Sequence, residues 1–416
     1  MNHETARRPE AGQASSLAMN RASCPVFHGG RARCPANRQA RCLPYVGKLC
    51  TLHFPFGRVL RALMRFIGRI IEKLQRHPKR VVFPEGTEPR VLQAARQFFS
   101  LRLGAPVLLG DRTLVKQAAA ELNVSLEGVR IINPAESEDL PAFIKRFELL
   151  RRFKGVEEKE ARETMLNPNY YGAMMLAMHQ VDGFISGANQ SSGSVLRPLF
   201  QIVKVAPEAA TASSCMVMEV EDTRFGHEGV LFMGDCGVIP EPNVQQLADI
   251  AVSTAQLSHQ LLGVRPRVAL LSYSTKGSAT HHSIGKVQAA TALAQKIAHD
   301  TGVEADFDGE LQVDAALVPE IATRKLPESQ VAGRANVLIF PDLNSGNIAS
   351  KLIQHVAKAH AYGQILLGLD RPAADVSRGA NAHDVLGVAA IVGVQSISYK
   401  ELYPLPDLDQ IHLPLK

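Results

Sequence analysis

Residues 181–198 read Val181-Asp182-Gly183-Phe184-Ile185-Ser186-Gly187-Ala188-Asn189-Gln190-Ser191-Ser192-Gly193-Ser194-Val195-Leu196-Arg197-Pro198. A short apolar run breaks into a loop of glycine and serine, and an arginine then stands in the first turn of a helix. An apolar run of strand length with such punctuation predicts a buried strand, a loop and a helix. The same order recurs downstream. Val268–Leu271 runs into Ser272–Ala279, Val337–Phe340 into Pro341–Asn347, and Ile365–Leu367 into Leu369–Ala380. Upstream, Arg80–Pro84, Pro106–Gly110 and Val129–Ile132 read as strands, with helices at Arg90–Ser100, Leu114–Leu122, Ala142–Phe153 and Asn169–His179. This alternation predicts an α/β fold with mainly parallel sheets flanked by helices. Ligands of such sheets bind outside the carboxyl ends of the strands, so the loops there are where function is sought.

The composition sets limits. At 416 residues the chain has room for two or three ordinary domains, and 46% hydrophobic with 21% charged residues is the balance of a globular protein. No apolar run approaches the roughly 20 residues that cross a bilayer. The net charge of +6 is unevenly placed. Residues 1–63 hold ten Arg or Lys against Glu4 and Glu10, and the remainder holds 36 basic against 38 acidic residues. The folded body is therefore near neutral, which argues against nucleic acid as its partner. Cys24, Cys34, Cys42 and Cys50 lie in the same basic segment, in no zinc-ligand spacing, and only Cys215 and Cys236 follow. A body of this size needs no disulfides, which points to a reducing, cytoplasmic setting.

Residues 1–63 lack sustained periodicity. An Arg-rich transit peptide, a disordered basic tail and an over-long gene start all account for them. The last fits best, with Met64 as the initiator, because the helical spacing of Phe66, Ile67, Ile70, Ile71 and Leu74 begins there.

Several constellations bear on chemistry. The loop Ser186–Ser194 offers backbone N–H groups and the hydroxyls of Ser191, Ser192 and Ser194, with Arg197 at the helix start. That set suits a phosphate dianion, although a plain polar connection has the same composition. Ser272–Ser278 is a second hydroxyl-rich loop, in which Tyr273, Ser274 and Lys276 suit phosphate or a pantetheine chain as well as an ordinary surface loop. Asp308–Asp314 reads as an acidic stretch entering a helix, where acids favour the N-terminus. Arg151, Arg152 and Lys154 form a basic cluster at a helix end. Ser377, Arg378 and Asp384 place a hydroxyl, a cation and a carboxylate near one loop, with Asp384 opening the helix that follows. No G-x-S-x-G elbow, Walker loop, paired zinc-protease histidines or G-x-G-x-x-G turn is present. Cys215 and Cys236 sit among apolar residues and read as buried, inert thiols.

Val82-Phe83-Pro84-Glu85-Gly86, Val195–Pro198, Leu271–Ala279 (LSYSTKGSA), Asp308–Val318 (DGELQVDAALV), Phe340–Ile348 (FPDLNSGNI) and Asp375–Gly379 (DVSRG) together resemble the phosphotransacetylase, or phosphate acetyltransferase, family. The resemblance runs from about Met64 to near the C-terminus. It implies reversible acetyl transfer between coenzyme A and phosphate, giving acetyl phosphate, with no permanently bound cofactor and no metal. It also implies a homodimer of two-domain chains with the active site in the interdomain cleft, here 64–209 with 365–416 as one domain and 210–364 as the other. Carried over, the family's catalytic Ser-Arg pair falls on Ser377 and Arg378, its catalytic Asp on Asp384, and its site arginines on Arg197, Arg90 and Arg151.

These roles make chemical sense. A thiol of pKa about 8.5 is mostly protonated at neutral pH, so a base helps; Asp384 is the candidate, provided its surroundings raise an ordinary aspartate pKa of about 4. Ser377 and Arg378 would meet the developing oxyanion, and Arg197 with Arg151 the phosphate. Direct attack by the thiolate needs no covalent acyl-enzyme. Three rivals remain at this stage: a phosphate butyryltransferase with a larger acyl pocket, a non-catalytic acyl-CoA sensor of the kind fused to malic enzymes, and a dehydrogenase of related shape.

Overall fold

Among the described residues the apolar runs assemble into a sheet of eleven strands in the order β3-β2-β1-β4-β11-β10-β5-β6-β9-β7-β8. The computed structural model describes residues 65–207, 209–398 and Leu402. Residues 1–63, the expected initiator Met64 and the first four cysteines lie outside the described residues. In chain order the elements are α1 (Arg65–Arg76), β1 (Lys79–Phe83), α2 (Pro89–Ser100), β2 (Gly104–Leu109), α3 (Arg112–Glu121), β3 (Arg130–Ile132), α4 (Leu140–Arg151), α5 (Glu158–Met165), α6 (Pro168–Ala177), β4 (Gly183–Ser186) and α7 (Ser192–Ile202). There follow β5 (Ser213–Glu219), β6 (Val230–Gly234), α8 (Val244–Leu262), β7 (Arg267–Leu271), α9 (His282–Thr301), β8 (Asp306–Leu311), α10 (Val313–Leu317), α11 (Pro319–Lys325), β9 (Val337–Ile339), α12 (Leu343–Val356), β10 (His360–Leu367), β11 (Ala373–Asp375) and α13 (Ala382–Gln395).

The expected α/β fold is present. β3, β2, β1, β4 and β11 pair in parallel, as do β6, β9, β7 and β8. The middle of the sheet departs from the strand–helix rhythm. β11 pairs with β10, β10 with β5 and β5 with β6, all antiparallel. Ile365–Leu367 is therefore the end of a longer antiparallel strand, and the short β11 intervenes before the Ser377 loop. Neither β5 nor β6 is among the strands expected from the sequence: β5 turns straight into β6 as an antiparallel hairpin with no helix between them. The expected domain boundary after residue 364 falls inside β10. The acidic stretch is corrected as well: Asp308, Glu310 and Leu311 belong to β8, and only Asp314 stands in a helix's first turn.

α13 fixes the position of the loop before it. Its residues from Asp384 to Val394 are buried, as expected of a helix apolar on every face. It packs against α1, α2, α8, β4 and β10. Such close approach needs glycine: a Cβ at Gly387 would lie 2.4 Å from the Tyr362 ring, and one at Gly393 2.8 Å from Leu74. At the N-terminus, Asn381 Oδ1 accepts from the Asp384 N–H at 2.9 Å while Asp384 Oδ2 accepts from the Asn381 N–H at 3.1 Å. This reciprocal capping box satisfies amides that the helix leaves unpaired. Among the described residues no helix is long and apolar enough to cross a membrane. Gly387→Ala should therefore force α13 off β10 and lower stability by about 1–3 kcal/mol. Chemical denaturation would show it as a lower midpoint with an unchanged slope, and an unmoved midpoint would contradict the packing described.

Candidate active site

A cavity of about 670 Å³ opens where the two parallel halves of the sheet meet. Gly187, Gln190, Ser191 and Ser192 line it from the loop after β4, and Asp375, Val376, Ser377 and Arg378 from the end of β11. Cys236 and Gly237 after β6, Asn344, Asn347 and Lys351 on α12, and Gly363 with Gln364 on β10 face it from the other half. β10 changes register between Tyr362 and Ile365. A bulge of this kind turns side chains out of the ordinary alternation, and here it leaves Gln364 at the cavity wall. Gln364 accepts from the Ser214 hydroxyl at 2.8 Å and donates to the Cys236 carbonyl at 3.3 Å. Cys215 and Cys236 are buried free thiols whose pKa values burial pushes far up, which suits inert packing rather than nucleophilic attack.

The loops around the cavity are held by charges inside the protein. Glu85, on the connection after β1, is 7% exposed. Its carboxylate accepts from the backbone N–H groups of Gly187 (2.9 Å), Ala188 (2.8 Å) and Asn189 (2.7 Å). The sequence suggested those amides as a cradle for phosphate; an internal anion already occupies them. Arg90, expected as one of the substrate-binding arginines, does not line the cavity. Its guanidinium donates to the carbonyls of Ala188 (2.6 Å), Arg378 (2.6 Å) and Ala380 (2.8 Å), with Glu88 as counter-charge at 2.7 Å. Glu85 and Arg90 thus bind the β4 loop and the Ser377–Arg378 loop to one short stretch of chain.

The remaining candidates divide. Ser377 and Arg378 line the cavity, and Lys351 Nζ lies 3.3 Å from Ser377 Oγ. Lys351 carried no motif in the sequence, because only packing of α12 across the sheet brings it near Ser377. Ser191 and Ser192 line the cavity, whereas Ser194 pairs its hydroxyl with that of Ser191 at 2.9 Å. Arg197 and Arg151 converge elsewhere, since both act on the phenol of Tyr170. Burial chiefly raises that phenol's pKa, and the two cations pull it down. The loop of Tyr273, Ser274 and Lys276 lies outside the cavity. Ser274 donates to the buried Glu310 at 3.0 Å, Gly277 N–H donates to the same carboxylate at 2.7 Å, and Lys276 pairs with Asp308 and the Gly309 carbonyl. Burial opposes the charge on Glu310, yet its donors hold its pKa below the ordinary value.

Asp384 is not among the cavity residues. It is 5% exposed, one oxygen caps α13, and the other lies 4.0 Å from His360 Nδ1. Pairing with this carboxylate raises the pKa of His360 against the opposing effect of burial. Asp384 stands in the first turn of α13, as expected, and its free oxygen faces His360. Asp375, by contrast, is 6% exposed at the cavity wall, hydrogen-bonded to the Ser192 hydroxyl.

Residues 65–393 match the family described as Phosphate acetyl/butaryl transferase. The chain belongs to this family. Over 333 residues it is 46% identical to a phosphate acetyltransferase of Thermoanaerobacterium thermosaccharolyticum, covering 80% of this chain and 100% of that one. Over a further 333-residue match it is 44% identical to the phosphate acetyltransferase of Acetivibrio thermocellus, covering 98% of that relative. Its fold superposes on the EutD phosphotransacetylase of Staphylococcus aureus with a TM-score of 0.73 at 38% identity, covering 80% of this chain and 98% of that one. For this member of the acetyl/butyryl transferases, the carboxylate clamp on the β4 loop makes a clear demand. Glu85→Gln sets an amide N–H against backbone N–H groups and removes the charge from buried hydrogen bonds. Stability should fall by on the order of 2 kcal/mol. Denaturant midpoints compared with Glu85→Asp would measure it, and wild-type stability in Glu85→Gln would rule out the clamp.

Proposed function

We propose that this chain is a phosphate acetyltransferase, moving an acetyl group reversibly between coenzyme A and inorganic phosphate. The observation that carries this reading is the cavity itself, where Ser377, Arg378 and Lys351 converge in a chain whose close relatives bear that activity in their names. Coenzyme A, acetyl phosphate and phosphate are its substrates, and the chain's own side chains supply the binding and polarisation. Arg378, exposed beside the cavity, and the Ser377 hydroxyl face the acyl oxygen as it gains negative charge. Lys351 adds a cation that the sequence did not suggest. Such preorganised donors act mainly on the transition state, where the charge is largest. Arg197 and Arg151, paired near Tyr170, form a second cationic group for substrate phosphates at the flank of the site.

A homodimer is favoured by Ile348, Leu352 and Val356, apolar side chains exposed along one face of α12. A cytoplasmic setting is favoured by the free thiols of Cys215 and Cys236. In the two-domain division, β1–β4 with β10–β11 form one half and β5–β9 the other, a boundary slightly earlier than the one expected at residue 364.

Phosphate-dependent release of thiol from acetyl-CoA tests the activity, and the same assay with butyryl-CoA tests the acyl preference. Faster turnover of butyryl-CoA would replace acetyl with butyryl transfer. Arg378→Ala should lower kcat/KM at least about tenfold with the fold intact; a smaller loss would remove Arg378 from transition-state stabilisation.

A further inference from the structure

We propose that Lys351 is a positioning residue of the acyl transfer that acts through Ser377, making its hydroxyl a committed hydrogen-bond donor to the acyl oxygen; this rests on the phosphate acetyltransferase reading. The hydrogen bonds at one oxygen carry it. A serine hydroxyl has two acceptor sites and one proton. At Ser377 Oγ both acceptor sites face donors, the Lys351 ammonium at 3.3 Å and the Gly379 N–H at 3.3 Å. An ammonium offers no acceptor in return, so the pairing runs one way. Among the described residues no group accepts the Ser377 proton. The O–H is therefore left to donate into the cavity that Ser377 lines.

α12 delivers the ammonium to this place. Asn344, Asn347, Ile348 and Lys351 recur three or four residues apart, so one face of the helix lines the cavity. That face is fixed. Asp342 Oδ1 caps the helix by accepting from the Ser345 N–H at 2.8 Å, and Asn347 Nδ2 donates to the Cys236 carbonyl at 3.1 Å. On the packed side, a Cβ at Gly346 would lie 2.4 Å from the Asp235 carbonyl oxygen. Among the described residues no carboxylate pairs with Lys351, so its charge acts on Ser377 and the cavity. A cation donating to the oxygen draws charge from the O–H and strengthens it as a donor.

This arrangement defines the part of Ser377 in the reaction. The hydroxyl keeps its proton and donates to the acyl oxygen as that oxygen gains negative charge. Meanwhile the sulfur's electron pair forms the C–S bond, and the pair of the C–O bond leaves on phosphate. The thiol proton goes to a separate base, the part that the family pattern gives Asp384. No bond to Ser377 forms. A hydroxyl with both acceptor sites engaged by donors is a poor base and a poor nucleophile, and Lys351 thereby confines Ser377 to donation.

The test is a double-mutant cycle of Lys351→Met and Ser377→Ala, read as kcat and KM for acetyl phosphate and coenzyme A, with denaturant midpoints to show that each variant folds. Lys351→Met should lower kcat at least about tenfold and leave KM for acetyl phosphate within about threefold, because the lost interaction belongs to the transition state. Added to Ser377→Ala, the same change should cost less than about threefold more, since the lysine then has no hydroxyl to act on. A lysine that only supports the fold would cost the same with or without Ser377. Losses that multiply in the double variant overturn the assignment. So does a Lys351→Met enzyme whose KM for acetyl phosphate rises about tenfold at unchanged kcat, which would make Lys351 a direct ligand of the phosphate. If Lys351→Met fails to fold, Lys351→Gln, which keeps a donor without the charge, enters the cycle under the same criteria. Absence of turnover in wild type would instead remove the enzymatic reading beneath the proposal, a failure that shows before any variant is made.

Discussion

Glu85, on the connection after β1, binds three successive backbone amides of the β4 loop, and Arg90, in the first turn of α2 just beyond it, binds the carbonyls of that loop and of the Ser377–Arg378 loop. Hydrogen bonds to a buried ionised group are stronger than neutral ones, and leaving such a group unpaired is costly. One short stretch of chain therefore holds two loops that diverge widely in sequence. Loosening Arg90 releases both walls on that side of the cavity at once, and loosening Glu85 releases the β4 loop.

The device is repeated in the other half of the sheet. Asp235 accepts from the amides of Gly237 (2.9 Å), Val238 (3.2 Å) and Ile239 (2.8 Å) and from the Ser214 hydroxyl. Glu310 collects Gly277, Ser274 and Gln288 in the same way. Glu85 and Asp235 each fill a run of successive backbone N–H groups, a geometry that also suits an external anion, whereas Glu310 takes one backbone N–H, a hydroxyl and a side-chain amide. The side-chain cations near these loops are Arg378 and Lys351 at the cavity and Arg151 and Arg197 beside Tyr170.

Much of the fold was legible because buried strands and their loops are local features. The parallel strands, most helices and the capped start of α13 follow from apolar runs, glycine and serine punctuation and the Asn381–Asp384 spacing. The antiparallel centre was not legible, since β10 pairs with β5 from a distant segment and the apolar runs say nothing about direction. The acidic stretch at Asp308–Asp314 misled for a related reason. Acids at a helix start and acids at a strand end anchoring a loop have the same composition, and the partners that distinguish them, Gly277, Ser274 and Gln288, lie elsewhere in the chain.

The residues themselves established the chemistry available: a Ser-Arg pair after a strand, a serine-rich loop before Arg197, and no covalent nucleophile among the recognised motifs. Those conclusions depend on residue type and short spacing, which a linear reading preserves. Which groups share one cavity was settled by folding alone, because direction and burial are properties of packed side chains. Packing turned Asp384 toward His360, filled the β4 amides with Glu85, brought Lys351 to Ser377 and left Asp375 buried beside them with its proton affinity raised.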